Sequence, residues 1–201
     1  MAVNPTDHEV LPTIANRWSP YRFEPRVVED DKLIRCLEAA RWAASSFNDQ
    51  PWSWIVARRQ DAEAFESMLA CLMPANRSWA SQAGVLICTV TRNHFQYNGK
   101  PNRVALHDLG AAAAHLSLQA TKFGLHVHQM AGINVAQIRG QYGIPDGFDP
   151  QTAIAIGYLD ESEPTTDDQR ELDDRQNATR TRTPLSEQVF VGKYGQSADW
   201  L

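Results

Sequence analysis

Ser45, Ser46, Asn48 and Gln50 fall within the run Ser45–Ser46–Phe47–Asn48–Asp49–Gln50, which Pro51 and Trp52 close. Hydroxyls and amides both donate and accept, so this set suits the mixed edge of a planar heterocycle. The same residue types form ordinary turns for purely local reasons, and a plain connection is the competing reading. Other groups could also do chemistry. His126 and His128 alternate as on a strand and share a face, as a metal pair would. No third ligand at suitable spacing accompanies them, and no metal is expected. His107–Asp108 has the composition of a base with its orienting carboxylate. Adjacent helix residues do not face each other, however, and no Ser or Cys sits in a nucleophile elbow. His107 reads as a helix-end or interface residue. Cys36, Cys71 and Cys88 form no Cys-x-x-Cys pair and read as buried free thiols in a reducing cytoplasm.

These groups need elements to position them. Acidic Glu29, Asp30 and Asp31 open a helix whose Leu33, Leu37, Ala40 and Ala44 form one apolar stripe. That helix delivers the Ser45–Gln50 loop, and Pro51 turns the chain into a strand at Trp54–Ala57. Asp61 is a cap for a helix through Leu72, which Pro74 breaks, and Asn76, Arg77 and Trp79 follow as a short polar segment. Gly84–Val90 is apolar and β-branched, as expected of a central strand covered on both faces. A polar loop, Arg92–Arg103, leads to the longest helix, about Val104–Phe123, with Gly124 beyond it. Small residues from Gly110 to Ala114 leave room there for close packing. A strand at Leu125–Met130, a helix capped by Asn134 and a strand at Thr152–Tyr158 complete the core. Residues 1–7 are expected to fray, and 8–17 to form a short helix. The acidic stretch 160–178 has no apolar period and is expected to be a solvated loop.

The 201 residues fit a single domain over the whole chain, and a net charge of −5 gives no support for nucleic acid or membrane as partner. Any phosphate site must therefore be built from a few placed cations. No signal peptide, no apolar run long enough to span a bilayer and no Gly-x-Gly-x-x-Gly are present, so a cytoplasmic protein without a Rossmann half is expected.

Several separated motifs resemble, in order, those of the nitroreductase family of flavin enzymes. Ser45–Trp52 matches Ser-Ser-x-Asn-x-Gln-Pro-Trp, with Ala44 in place of the usual proline. Arg17, Ser19 and Phe23 match the opening Arg-Arg-Ser-x-Arg-x-Phe, whose arginine and serine bind the flavin phosphate. Trp18 and Tyr21 replace two arginines of that pattern, and Arg22, one place along, is a candidate substitute. Asp108 and Gly110 resemble an Asp-x-Gly at the start of the central helix. Gly132, with Ala131 before it in place of a common Glu, fits a turn whose amides face the flavin ring. Ala155–Tyr158 matches the Ala-Ile-Gly-Tyr ending, and Arg180 and Arg182 match a late basic-x-basic pair before Pro-Leu. Arginine can offer phosphate oxygens a bidentate fork. A solvated patch is the alternative for that pair, as it is for Arg77.

The resemblance implies an α+β nitroreductase fold, a central mixed β-sheet flanked by helices, and a homodimer with two flavin sites at its interface. It implies FMN held by Arg17, Trp18, Ser19, Tyr21, Ser45, Ser46, Asn48, Gln50, Ala131, Gly132, Arg180 and Arg182. It also implies NAD(P)H as co-substrate. Hydride would pass through flavin N5 to nitroaromatics, quinones or similar electron-poor acceptors in ping-pong order, with no catalytic side chain. A flavin carrier or sensory subunit, a flavin-dependent dehydrogenase and a flavin-fragmenting enzyme are the alternatives.

Overall fold

The computed structural model describes residues 4–201. Its centre is the strand read from Gly84–Val90, which runs as β2, Val85–Arg92, with all but its last residue buried. The chain order is α1 (Pro12–Asn16), α2 (Asp30–Arg41), β1 (Trp52–Arg58), α3 (Ala62–Ala70), α4 (Pro74–Ala80), β2, α5 (Ala105–Lys122), β3 (His126–Met130), α6 (Val135–Gln141), β4 (Phe148–Gly157) and α7 (Asp167–Asn177). The strands lie in the order β1-β2-β4-β3.

The class is α+β, but the sheet is antiparallel throughout rather than mixed. The reason is where β4 inserts. Helix α5 carries the chain from β2 to β3 in the same direction, as a parallel crossover would. β4 then enters between them and pairs antiparallel with both. Alternate residues of β2 face opposite sides, as strand geometry requires. Leu86, Cys88 and Val90 pack in the core with Phe65, Trp79 and Ile138 from α3, α4 and α6. Val85 and Ile87 pack in a second core with Leu33, Cys36, Ala112 and Leu116 from α2 and α5.

Local signals explain most boundaries. Asp61 accepts from the Ala64 N–H and Asn134 from the Gln137 N–H, each satisfying an amide that its helix leaves open. Pro74 does not merely end α3; it occupies the first turn of α4, where its missing N–H costs nothing. The segment read as polar is therefore helical, with Trp79 buried beneath it. β4 starts before the expected Thr152, because a bulge at the Thr89/Val90 register shift lets the strand pass through Pro150.

Three expectations for the chain's flanks are corrected. Residues 1–3 of the N-terminal stretch lie outside the described residues, but Asn4 is tied down: its side chain donates to the Arg17 carbonyl at 2.7 Å and its N–H to Ala15 O at 2.8 Å. The helix expected over 8–17 is only Pro12–Asn16. The acidic stretch 160–178 is not all loop: α7 fills its second half. A capping box starts that helix, with Thr166 accepting from the Gln169 N–H and Gln169 reaching back to the Thr166 N–H. Among the described residues, no helix is long and apolar enough to cross a membrane.

Candidate flavin site

The Ser45–Gln50 loop is held in a costly backbone form. Phe47, Asn48 and Gln50 have φ of 54°, 53° and 47°, the left-handed region that side chains other than glycine rarely adopt. Such strain persists only where the surroundings over-determine it, and it gathers at functional sites. Asp49 supplies the determination. Its side chain is 2% exposed. Its Oδ2 accepts from Arg92 Nη2 at 2.8 Å and its Oδ1 from the Gln96 N–H at 2.8 Å. Arg92 Nη2 also donates to the Asp49 carbonyl. Burial alone would raise the Asp49 carboxyl, but the Arg92 guanidinium and the Gln96 N–H outweigh it and hold the group below its ordinary value.

Asp108, buried near the start of α5, fixes the other end of the loop by accepting from the Ser46 N–H at 3.1 Å. Ser45 Oγ accepts from the Gln50 N–H, which closes the loop on itself. The Asn48 and Gln50 side chains are left exposed at its surface. Phe47, Phe95 and Tyr97 gather their rings beside it, with centroids 5.1–5.8 Å apart, as an apolar wall. His107 Nδ1 does lie 3.1 Å from Asp108 Oδ1, contrary to the expectation that these neighbours cannot meet. Both groups sit in the first turn of α5, His107 exposed and Asp108 buried, and no nucleophile accompanies them.

A second constellation is cationic. Arg17, Ser19, Arg175, Arg180 and Arg182 line a cavity of about 310 Å³. Arg17 Nη1 donates weakly to Ser19 Oγ at 3.4 Å. Arg180 donates to the Gln176 carbonyl and Arg182 to its neighbour Thr181 O. Among the described residues, no carboxylate pairs with Arg17, Arg180 or Arg182. Burial lowers the Arg17 guanidinium from its ordinary value, and the charges of Arg182 and Arg180 lower it further. Three unneutralised guanidiniums converging on one cavity fit a terminal phosphate.

Arg22 is not among them. It is 4% exposed and spent on Asp173 Oδ1 at 2.8 Å and Asp160 Oδ2 at 2.7 Å. It therefore does not substitute for the missing motif arginines. Arg77 donates to the carbonyls of Ala70 and Leu72 and closes the end of α3. Trp18 is buried against His126, and Tyr21 packs on Trp79 and His128. These rings lie beneath the guanidiniums of Arg180 and Arg175. Desolvation holds His126 and His128 below the ordinary histidine value, so both are neutral at neutral pH. Among the described residues, no group of three or more His, Cys, Asp or Glu is placed to hold a metal. Cys36, Cys71 and Cys88 are buried and unpaired, and burial pushes Cys36 and Cys88 up to about 12.

At Gly132 a side chain would displace a hydrogen bond. A Cβ there would meet Asn76 Nδ2 at 2.5 Å, and that nitrogen donates to the Gly132 carbonyl. Sequence reasoning missed Asp49, Arg92 and Asn76. Asp49 was visible only as an unassigned position of the loop motif.

The two constellations are associated with opposite edges of the sheet. The loop leads into β1 at one edge of the sheet, whereas Arg17–Phe23 runs beside β3 at the other. Strand spacing of about 4.8 Å puts those edges roughly 14 Å apart. Gly132, just after β3, belongs to the arginine side.

Known proteins resemble this chain over most of its length. The model of the Nitroreductase family matches residues 14–158. A solved structure described as an oxidoreductase containing FMN is 33% identical, covers 96% of this chain and 97% of its own, and superposes with a TM-score of 0.87. A nitroreductase family protein from Clostridium difficile 630 is 25% identical over 90% of this chain and 96% of its own, with a TM-score of 0.68. A protein of Archaeoglobus fulgidus provisionally named NADH dehydrogenase/NAD(P)H nitroreductase is 25% identical, covering 86% of this chain and 95% of that protein.

Proposed function

Because the chain belongs to the nitroreductase family, we propose that it is an FMN-dependent NAD(P)H oxidoreductase reducing nitroaromatics, quinones or similar electron-poor acceptors in ping-pong order. The observation that carries the reading is the convergence of Arg17, Arg180 and Arg182 on one cavity without a carboxylate partner. Bound there, FMN supplies the hydride chemistry that links reduced nicotinamide to the acceptor.

The protein's own residues hold and tune. The three arginines neutralise the phosphate in a chain whose net charge of −5 cannot do so at a distance. Ser45, Ser46, Asn48, Gln50 and the Ala131–Gly132 turn offer donors to the ring edge, and a donor there favours negative charge on the ring. Asp49 and Asp108 fix that loop in advance, so little reorganisation is needed when charge develops. The Phe47–Phe95–Tyr97 wall suits a planar aromatic acceptor. One open site serving donor and acceptor in turn accounts for ping-pong order. Buried thiols suit a reducing cytoplasm.

The functional unit is a homodimer. Its support is the division of the site between opposite sheet edges, together with an exposed face on α5. Leu106, Gly110 and Ala114 recur there every four residues and are exposed, and nothing lies within 4 Å of where a Gly110 Cβ would be. Sedimentation at low micromolar concentration is expected to give about twice 22.5 kDa. A monomer that still holds FMN tightly refutes it.

The function is tested on the purified protein. The chromophore released by denaturation is expected to chromatograph as FMN, and the holoprotein to consume NADH or NADPH faster when a quinone is added. FAD, or no flavin after reconstitution with FMN, overturns the reading. Tight FMN without NAD(P)H turnover makes the chain a flavin carrier instead.

A further inference from the structure

Helix α7 and the residues after it run back along the Arg17–Phe23 segment, and the contacts fall in reverse order. The Arg180 guanidinium lies 4.6 Å over the Trp18 ring, and that of Arg175 lies 4.1 Å over Tyr21. Gln176 Oε1 accepts from the Tyr21 N–H and the Arg22 N–H, each at 3.1 Å. Asp173 Oδ1 accepts from Arg22 at 2.8 Å and from Gln176 Nε2 at 2.9 Å, so the two contacts are joined. Gln176 is 8% exposed in a helix that is otherwise largely solvated.

Beyond Gln176 the segment has little else to hold it. Residues 181–188 are exposed, and the hydrogen bond described for Arg182 goes to its own neighbour. Arg17, Arg180 and Arg182 also repel one another, with no carboxylate between them. The contacts of α7 and Arg180 with Trp18, Tyr21 and Arg22 are available to oppose that repulsion before an anion arrives.

We propose that Gln176, joined to Asp173 and Arg22, is a latch that positions Arg180 and Arg182 against Arg17, while Trp18 and Tyr21 serve as platforms for Arg180 and Arg175. The phosphate preference of the site is then set in part by residues that never touch the phosphate. Trp18 and Tyr21 stand where the motif they resemble has arginines, and each instead carries a guanidinium from the C-terminal side stacked on its ring. Gln176, Asp173 and Arg22 are positioning residues. The proposal rests on the phosphate-site reading above.

The test compares FMN with riboflavin, which lacks only the phosphate. Both are titrated by fluorescence quenching, at fixed ionic strength, into the parent, Gln176→Leu and Asp173→Asn. Gln176→Leu keeps the volume and removes the acceptor; Asp173→Asn keeps the shape and removes the charge. In both variants FMN affinity is expected to fall about tenfold, the value of roughly one such hydrogen bond, with riboflavin affinity unchanged. The ratio of the two affinities is the readout, because general loosening of the fold weakens both ligands alike. Trypsin cleavage after Arg180 and Arg182 is expected to quicken in the variants. Variants that keep the parent's preference for FMN overturn the latch, as does an equal loss for both flavins. A parent that binds the two flavins equally removes the phosphate site itself, which is a different failure and is seen in a different arm.

Discussion

Arg17→Met weakens FMN binding by about one to two orders of magnitude, leaves riboflavin binding unchanged and does not lower the melting temperature. Hydrogen bonds to charged groups contribute roughly 1.5–3 kcal/mol each, and a factor of ten corresponds to about 1.4 kcal/mol. Arg17 lines the cavity with Arg180 and Arg182 and feels the charge of both, so its loss removes one of the cations that face the phosphate position. Met retains the apolar stem, so packing beside Ile14 is kept. The charge itself gives the free protein no stabilising ion pair, and removing it relieves repulsion from its two neighbours. Affinity and stability are therefore expected to separate. Arg182→Ala is expected to act in the same direction, because Arg182 is exposed and bonded only along its own backbone. Fluorescence titration of both flavins, beside thermal melts, reads the two effects. Unchanged FMN affinity in Arg17→Met removes the phosphate assignment. A matching fall for riboflavin shows that Arg17 is structural.

How much of this was legible in the sequence depends on where each residue's partners lie. Helices α2 and α5 and strand β2 are written in local apolar period, and their faces meet the cores that the period implies. Helix α7 was not legible in that way. Its residues are mostly charged, and what makes it a helix is one capping box and a docking made by Gln176 with a segment more than 150 positions away. The same distance hid the fate of Arg22: it stands one place from a motif arginine, but its carboxylates come from 160 and 173. Interleaved helices and strands were readable, whereas the insertion of β4 between β2 and β3, which makes the sheet antiparallel, is a long-range choice that no local pattern states. The loop motif named Asn48 and Gln50, which are exposed, and passed over Asp49, the anchor. A motif names what touches a ligand more readily than what holds the touching residues still.

That anchor gives the second large effect. Asp49→Ala is expected to destabilise the protein by about 3–5 kcal/mol, the range for removing one partner of a buried ion pair. Its side chain is 2% exposed and that of Arg92 is 22% exposed, so water can take over part of the Arg92 contact but none at the Asp49 position. The change removes acceptors from Arg92 and from the Gln96 N–H together. It also removes what holds Phe47, Asn48 and Gln50 in the left-handed region, and the strain they release offsets part of the loss. The loop should then relax, and the donors it presents should lose their fixed placement. FMN and riboflavin are expected to weaken by the same factor, because what is lost is contact with the ring and not with the phosphate. That is the opposite fingerprint from Arg17→Met. The pH dependence has a definite sign. The Asp49 carboxyl is held below its ordinary 3.8 in the folded protein, the Arg92 and Gln96 contacts outweighing burial. Its stabilising contribution is therefore complete above the unfolded-state value and is lost as pH falls through the folded one. The gap in melting temperature between parent and Asp49→Ala should be widest near neutrality and narrow in acid. Melts from neutral to acidic pH measure the gap, and flavin titrations at neutral pH measure the affinities. A gap that widens in acid contradicts the assigned charge state, and a variant that keeps parental riboflavin affinity shows that the loop does not need Asp49 to meet the ring.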